Sequence, residues 1–199
     1  MPKTFMPLFK DAEALKKHQL DGLQWTLAHA YQGSAFYRQR LDDTGIQPSD
    51  IQSLDDIQKL PFSTADDLRQ GYPFPLLSVP TAEVVRIHAS SGTTGKRKIL
   101  CYSRKDIEDW THFFARCYEM AGLTTEDRVQ IAVGYGVWTA GASFQLGCER
   151  FGAMALPVGP GNVDMQCQFL VDLQSTVMCC TASMGLLMAE EIGRRGLKD

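Results

Sequence analysis

The sequence has no apolar run of the roughly 18 residues that a membrane-spanning helix needs, and its first residues lack the apolar core of a signal peptide. It has little excess charge of either sign: the formal net charge is −3. Neither nucleic acid nor an anionic membrane surface is therefore an expected partner. Internal repeats and low-complexity segments are also missing. These absences favour a cytoplasmic globular protein whose partners are small molecules.

Cysteine occurs six times, but no two cysteines form a Cys-x-x-Cys pair. Most of them stand among apolar residues, which is typical of buried free thiols in a reducing compartment. The sequence therefore predicts neither disulfides nor a metal site. The cysteines are Cys101, Cys117, Cys148, Cys167, Cys179 and Cys180.

Two patterns follow each other along the 199 residues, a length that is sufficient to bury a core. Residues 1–80 show helical spacing of apolar residues and several prolines, which predicts an N-terminal helical region. In residues 81–199 predicted strands alternate with helices. This alternation is typical of an α/β subdomain, built from βαβ units with a largely parallel sheet that helices flank.

The predicted elements can be placed along the chain. In the first region the periodicity predicts helices over 11–32 and 35–43. In the second region Asp164 and Ser183 are the predicted N-caps of helices that end near 174 and 195. The predicted strands are 83–89, 97–102, 128–133, 154–158 and 176–181, and the other helices are 103–121 and 139–151.

The stretch from Ser90 to Lys98 combines small hydroxyl residues, two glycines and basic side chains between two predicted strands. Glycine lets the backbone approach a ligand closely, and successive exposed N–H groups form a concavity that binds anions. We therefore predict a site for the β and γ phosphates of ATP. The predicted phosphate-binding residues are Ser90, Ser91, Gly92, Thr93, Thr94, Gly95 and Lys98.

This loop differs from a Walker A loop, which places Ser or Thr directly after Gly-Lys and opens into a helix. Here Arg97 takes the place of that hydroxyl residue, and the predicted strand at 97–102 follows instead of a helix. An ordinary polar hairpin turn is the alternative interpretation. The density of hydroxyl, glycine and basic residues favours phosphate binding.

The pattern Ser-Ser-Gly-Thr-Thr-Gly-x-x-Lys resembles the phosphate loop of the adenylate-forming superfamily, which includes the acyl-CoA synthetases. Four further segments, in the same order, resemble phenylacetate-CoA ligases, and the resemblance runs from about residue 10 to the end of the sequence. It implies a partial large domain of an acyl-CoA synthetase-like fold. The four segments are Ala35–Arg38, Leu60–Leu68, Arg86–Ala89 with Tyr102, and Val133–Gly136.

The resemblance also implies a reaction. An aryl acid similar to phenylacetate would attack the α phosphate of ATP, and CoA would then displace AMP from the acyl-adenylate. ATP, Mg²⁺ and CoA are thus the implied cofactors, and a homodimer is a further expectation. Because members of the family are longer, this chain is expected to correspond to their N-terminal portion and to be inactive alone.

An aromatic, glycine-rich turn follows the predicted strand at 128–133. In open α/β sheets, ligands bind beyond the carboxyl ends of the strands. From the residues alone, a substrate pocket and simple packing over the sheet are equally favoured interpretations. The resemblance favours an acid-binding pocket, although Val133 and Trp138 depart from the Tyr and Phe that are usual in the family. The predicted pocket residues are Tyr135, Gly136 and Trp138.

His88 stands alone in a predicted strand, which is more typical of a structural histidine than of a catalyst. Adenylation needs no general base, because the acid is already ionised and the barrier lies in charge that builds up on phosphate. We therefore predict no catalytic residue in this segment. Two alternatives remain: a non-catalytic fragment that binds phosphate at most, and an adenylating enzyme that loads a carrier protein instead of CoA.

Overall fold

The structure is a computed structural model that describes residues 4–90 and 96–197. Its helices are α1 (Ala12–Gly33), α2 (Ala35–Thr44), α3 (Asp67–Gln70), α4 (Arg104–Met120), α5 (Ala140–Phe151), α6 (Val163–Asp172) and α7 (Ala182–Arg195). Its strands are β1 (Val84–Ala89), β2 (Ile99–Ser103), β3 (Arg128–Ile131), β4 (Met154–Leu156) and β5 (Val177–Cys179). None of the described helices combines the length and the apolar character that crossing a bilayer requires.

The described residues form two compact units, one within residues 7–104 and the other made of residues 4–6 and 105–197. The first unit contains the helices that precede residue 80 and the hairpin of β1 and β2. The second contains the remaining strands and the helices from α4 to α7. The predicted division after residue 80 describes the change from helices to alternating elements, and it stays a prediction.

The first unit is built on α1 and α2, which pack against each other. α1 begins where the Asp11 side chain accepts a hydrogen bond of 2.8 Å from the Ala14 amide, which satisfies one of the free N–H groups of the first turn. Ser34 separates the two helices and caps α2. Where the helices meet, three apolar side chains form a small core: Leu27, Leu41 and Ile51.

The strand–turn–strand prediction around the glycine-rich loop is confirmed for the described flanks. β1 and β2 pair antiparallel, with Ala89 opposite Ile99, in a two-stranded sheet of their own. The second strand begins two residues later than predicted, because residues 97 and 98 still belong to the connection. Residues 91–95 lie outside the described residues.

The second unit confirms the predicted parallel sheet. The strand order is β4-β3-β5, and β3 pairs parallel with both of its neighbours. Because parallel neighbours need a crossover, a helix lies between each pair of consecutive strands in the chain. β3 is the centre of the unit, and the side chains of Val129 and Ile131 are fully buried in its core. The carboxyl ends of all three strands therefore lie at one edge of the sheet.

Candidate functional site

The base of the predicted phosphate loop is closed by two hydrogen bonds. The Ser90 amide donates to the Lys98 carbonyl over 3.0 Å, and the Lys98 amide donates to the Ser90 hydroxyl over 3.0 Å. The Arg97 guanidinium also donates to the Ser90 carbonyl, over 3.2 Å. Ser90 therefore connects the two ends of the loop. Because its hydroxyl oxygen accepts the bond from Lys98, the hydroxyl proton can still be donated to a ligand. The predicted ligands Ser91, Gly92, Thr93, Thr94 and Gly95 lie outside the described residues.

The three basic residues that follow the loop differ in their surroundings. The Lys96 ammonium lies over the Tyr72 ring, 5.4 Å from its centroid, a distance typical of a cation–π contact. Arg97 is exposed and bonds the loop backbone as described above. The Lys98 side chain is half-buried directly after the loop. The role of Lys98 in phosphate binding stays a prediction.

His88 is a core residue of the hairpin. Its side chain is 2% exposed, and its ring lies 4.8 Å from the Tyr102 ring, centroid to centroid. Burial, and secondly the charge of Arg86, lower the pKa of His88 below its ordinary value. The imidazole is thus neutral in the folded protein at neutral pH. This environment supports the predicted structural role.

We expect acid to destabilise the protein through His88. Its pKa is lower in the folded than in the unfolded chain, so the unfolded chain binds an extra proton first as the pH falls. Stability should therefore decrease as the pH drops below the ordinary histidine value of about 6.5. Urea unfolding at a series of pH values between neutrality and mild acid measures this loss. The variant His88→Gln should reduce the slope; a slope equal to that of the unaltered protein would contradict the assignment.

A cavity of about 490 Å³ opens at the carboxyl edge of the parallel sheet in the second unit. Its walls come from the turn after β3, the loop after β4 and the first two turns of α7. This is the edge at which open α/β sheets bind their ligands. Its lining residues include Val133, Gly134, Trp138, Pro160, Gly161, Thr181, Ser183 and Met184.

The turn after β3 brings Trp138 to this cavity. A side-chain carbon on Gly134 would lie 3.1 Å from the indole ring, so the ring rests against the glycine backbone. The turn is closed by a bond of 2.9 Å from the Gly141 amide to the Gly134 carbonyl. Gly136 has a φ of +84°, which favours glycine at this position. The glycine-rich sequence is therefore what lets the tryptophan form a wall.

Tyr135 has different surroundings from its neighbour Trp138. Its ring packs against Gly141 and the core of the second unit, and neither Tyr135 nor Gly136 lines the cavity. Burial, followed by the charge of Glu149, raises the pKa of the Tyr135 hydroxyl. That hydroxyl is buried and has no hydrogen-bond partner among the described residues. A role in an acid pocket stays a prediction for Tyr135, Gly136 and Trp138; of the three, Trp138 lines the cavity.

Several lining residues were missed by the sequence reasoning. Pro160 and Gly161 follow β4, and Met184 lies in the first turn of α7. The predicted N-cap of α7 is also wrong: Thr181, not Ser183, accepts the bond from the Met184 amide. The predicted parallel sheet was sufficient to indicate these residues, because the segments that follow its strands all lie at one edge of the sheet.

The cysteines in this region have no sign of nucleophilic chemistry. All six cysteines of the chain are free. The prediction of buried thiols is correct for Cys148 and Cys167, whereas Cys101, Cys179 and Cys180 are only partly buried and Cys117 is exposed. Burial, and secondly Cys179, raise the pKa of the Cys148 thiol to about 12, and burial also raises the pKa of Cys179. The thiolate is the reactive form of cysteine, so these two side chains act as core residues. Across residues 4–90 and 96–197, no group of three or more His, Cys, Asp or Glu side chains could hold a metal ion.

A second cavity, of about 330 Å³, lies within the first unit. It is lined mainly by apolar side chains of α1 and α2, among them Leu23, Leu27 and Leu41, with Tyr37 and Arg40 at its polar side. The Arg40 guanidinium is already occupied by an ion pair of 2.7 Å with Asp67. This second cavity is an alternative location for an apolar ligand.

The sequence matches no protein-family model, but it is similar to curated proteins that are named phenylacetate-coenzyme A ligase. It is 41% identical over 185 residues to the protein of Pseudomonas putida, a match that covers 93% of this chain and 42% of that protein. It is 40% identical to the protein of Escherichia coli strain K12, over 92% of this chain and 42% of that one. The chain therefore spans less than half the length of these relatives, and the predicted resemblance is confirmed.

Solved structures agree with these matches. A 2-hydroxyisobutyryl-CoA ligase in an open conformation, in complex with 2-HIB-AMP and CoA, superposes with a TM-score of 0.86 at 25% identity over 94% of this chain and 42% of that one. The same ligase in its thioesterification state superposes with a TM-score of 0.85 at 27% identity. The expected partial α/β fold of a CoA ligase is thereby confirmed.

Proposed function

We propose that this chain belongs to an AMP-forming ligase that activates a phenylacetate-like aryl acid and transfers the acyl group to CoA. The observation that carries the proposal is the cavity at the carboxyl edge of the parallel sheet. Its described lining residues carry no ionisable side chain, and Trp138 offers an aromatic wall. The likeness to proteins named phenylacetate-coenzyme A ligase supports the same substrate class.

The cavity suits the two ends of an aryl acid. Its volume of about 490 Å³ lies within the range of small-molecule pockets. Apolar groups such as Val133 and Met184 would contact the ring, and the indole of Trp138 would pack against it. The hydroxyls of Thr181 and Ser183 lie at the start of α7 and also line the cavity. Together with the positive end of the helix, they would favour the carboxylate.

The hairpin loop would hold the nucleotide. The two hydrogen bonds between Ser90 and Lys98 keep these residues opposite each other, where the loop leaves β1 and rejoins β2. Backbone amides and hydroxyls of residues 91–95 would donate to the β and γ phosphates, with Lys98 as the cationic partner. Because Mg²⁺ is usually held by phosphate oxygens, waters and one or two carboxylates, it would accompany the triphosphate rather than a dedicated protein cage.

The proposed chemistry has two displacements. A carboxylate oxygen of the acid attacks the α phosphorus and forms a P–O bond, while the bond from the α phosphorus to the oxygen that bridges to the β phosphate breaks and pyrophosphate leaves with that oxygen. The CoA thiolate then attacks the acyl carbon and forms a C–S bond, while the acyl C–O bond breaks and AMP leaves with that oxygen and the electron pair. In the first step the chain needs to orient the acid, exclude water and compensate phosphate charge, so a site without an acid–base pair is sufficient.

The assay for this proposal is exchange of labelled pyrophosphate into ATP, in a ligase-length protein that includes this chain. We expect exchange to depend on phenylacetate or a related aryl acid and to proceed without CoA. Short aliphatic acids should support it poorly, because they leave most of the cavity unfilled. A folded protein that shows no exchange with any aryl acid would refute the proposal. Formation of the CoA thioester in a second assay identifies CoA as the acceptor.

In the same assay, Lys98→Ala should raise the KM for ATP by about tenfold. The variant removes one charge-assisted contact to a phosphate, and such contacts contribute about 1.5–3 kcal/mol. Lys96→Ala is the matched control, since the Lys96 ammonium is engaged over the Tyr72 ring. It should leave the KM for ATP within about twofold of the unaltered protein. Equal effects of the two substitutions would argue against a specific role for Lys98.

A further inference from the structure

Two fully buried glutamines form a hydrogen-bond network in the interior of the second unit. Gln130 lies in the central strand β3 and Gln166 in α6, and both side chains are 0% exposed. The Gln130 Nε2 donates to the Gln166 Oε1 over 2.6 Å, and the Ser175 hydroxyl donates to the Gln130 Oε1 over 2.9 Å. Buried amides are costly unless they are hydrogen-bonded. In this network the two side-chain amides bond each other, which links the sheet to α6.

The same hydrogen-bond network also includes the loop after β4. The Gln166 Nε2 donates to the carbonyl of Gly159 over 2.7 Å and to that of Gly161 over 3.3 Å. The Gly159 amide is held on its other side by the Ile131 carbonyl, at 2.9 Å. Gly161 and the neighbouring Pro160 line the cavity at the edge of the sheet. One buried side chain thus bonds two carbonyls of a segment that forms a cavity wall.

This loop depends on outside support, because its backbone is unusual. Gly159, Gly161 and Asn162 have φ values of +80°, +76° and +43°, all in the left-handed region. Glycine adopts this region readily. With three such residues in four positions, however, the loop has no regular pattern of backbone hydrogen bonds that would fix its conformation. With the Gln166 amide removed, the buried Gly159 carbonyl would lose its bond of 2.7 Å, and other loop conformations would compete.

We propose that Gln166 is a positioning residue that holds the Gly159–Gly161 segment in place as a wall of the acid pocket. The proposal rests on the proposed function for the identity of the ligand. Gln166 does not itself line the cavity and acts through the backbone carbonyls that it bonds. Gln130, by contrast, orients Gln166 and makes no bond to the loop.

The difference between the two glutamines gives a matched pair of variants, Gln166→Met and Gln130→Met. Both remove a fully buried amide of the same network, but only the first removes the bonds to the loop. Hydrogen exchange is read at the Gly159 amide and, as a reference in the same sheet, at the Ala132 amide, which donates to Cys179 over 2.8 Å. A general loss of stability raises both exchange rates together.

We expect Gln166→Met to raise the Gly159-to-Ala132 ratio of exchange rates at least tenfold, and Gln130→Met to leave that ratio unchanged. An unchanged ratio in Gln166→Met, or an equal rise in both variants, would overturn the proposal. If Gln166→Met does not fold, the double variant with both methionines replaces it. Apolar groups then fill both positions and leave no unpaired side-chain amide, while the loop still lacks its bond.

Titration of phenylacetate, followed by the fluorescence of Trp138, supplies the second readout. In a ligase-length protein that includes this chain, Trp25, Trp110 and every tryptophan outside the chain are replaced by phenylalanine so that Trp138 alone reports. Affinity should fall at least tenfold in Gln166→Met and remain within about twofold in Gln130→Met. Unchanged affinity in Gln166→Met would overturn the positioning role. If the unaltered protein binds no aryl acid, the proposed function fails, and the exchange ratio by itself decides whether Gln166 holds the loop.

Discussion

Gly147→Ala is expected to lower the free energy of unfolding by about 3 kcal/mol, although alanine is the better helix former. Gly147 lies in α5, where the helix passes closely over α4. A side-chain carbon at this position would lie 2.3 Å from the Phe114 Cβ and 3.0 Å from the Phe114 carbonyl carbon. Because the opposing atoms belong to or adjoin the backbone, the two helices would have to move apart.

Gly193→Ala is the control for this prediction. Gly193 also lies inside a helix, α7, but a side-chain carbon there would meet no atom within 4 Å. Alanine should therefore raise the stability by up to about 1 kcal/mol through its helix propensity. Urea unfolding of the two variants measures both effects. If Gly147→Ala were as stable as Gly193→Ala, the close packing of α4 and α5 would be wrong.

Trp138→Ala is expected to raise the concentration of phenylacetate at half-maximal pyrophosphate exchange by about 10- to 100-fold. Trp138 is 49% exposed, and an aromatic contact that a bound aryl group would bury contributes about 1.5–3 kcal/mol; about 1.4 kcal/mol corresponds to a factor of ten. The enlarged cavity should at the same time improve the relative use of bulkier acids, such as naphthylacetate. A ligase-length protein that includes this chain is the material for the assay.

Trp25→Ala separates this effect from a general loss of an aromatic residue. Trp25 is 66% exposed on α1, in the other unit, and stacks on His29. Its removal should leave the dependence on phenylacetate unchanged. If the two tryptophan variants behaved alike, the aryl group would not lie against Trp138.

The parallel sheet was predictable, because it depends on local patterns. Apolar runs such as 128–133, separated by segments of helical length, leave few alternatives to βαβ units. The antiparallel hairpin at β1 and β2 was equally visible, since two strand-like runs flank a short glycine-rich turn. The N-caps were harder to place: Asn162 and Thr181 cap α6 and α7 instead of Asp164 and Ser183. Residues with capping side chains stand close together at both sites, and only the backbone geometry distinguishes them.

The details of the site could be predicted only in part. Trp138 was predicted because an aromatic residue in a glycine-rich turn after a strand is an unusual pattern, and it lines the cavity at the edge of the sheet. The different surroundings of Tyr135 depend on the close approach of Gly141, which is a tertiary contact. The link from Gln130 to Gln166 joins residues 36 positions apart. A single glutamine within an apolar strand gives no indication of its partner, so this network was not predicted.

Photolabelling tests most directly whether the aryl acid lies at the carboxyl edge of the parallel sheet. The protein is irradiated with 4-azidophenylacetate, whose nitrene inserts into neighbouring bonds, and the labelled peptides are identified by mass spectrometry. We predict labelling around Trp138 and Met184, which line that cavity, and its suppression by excess phenylacetate. Label concentrated instead on α1 and α2, around Leu27 and Tyr37 of the other cavity, or label that phenylacetate does not displace, would contradict this location of the acid.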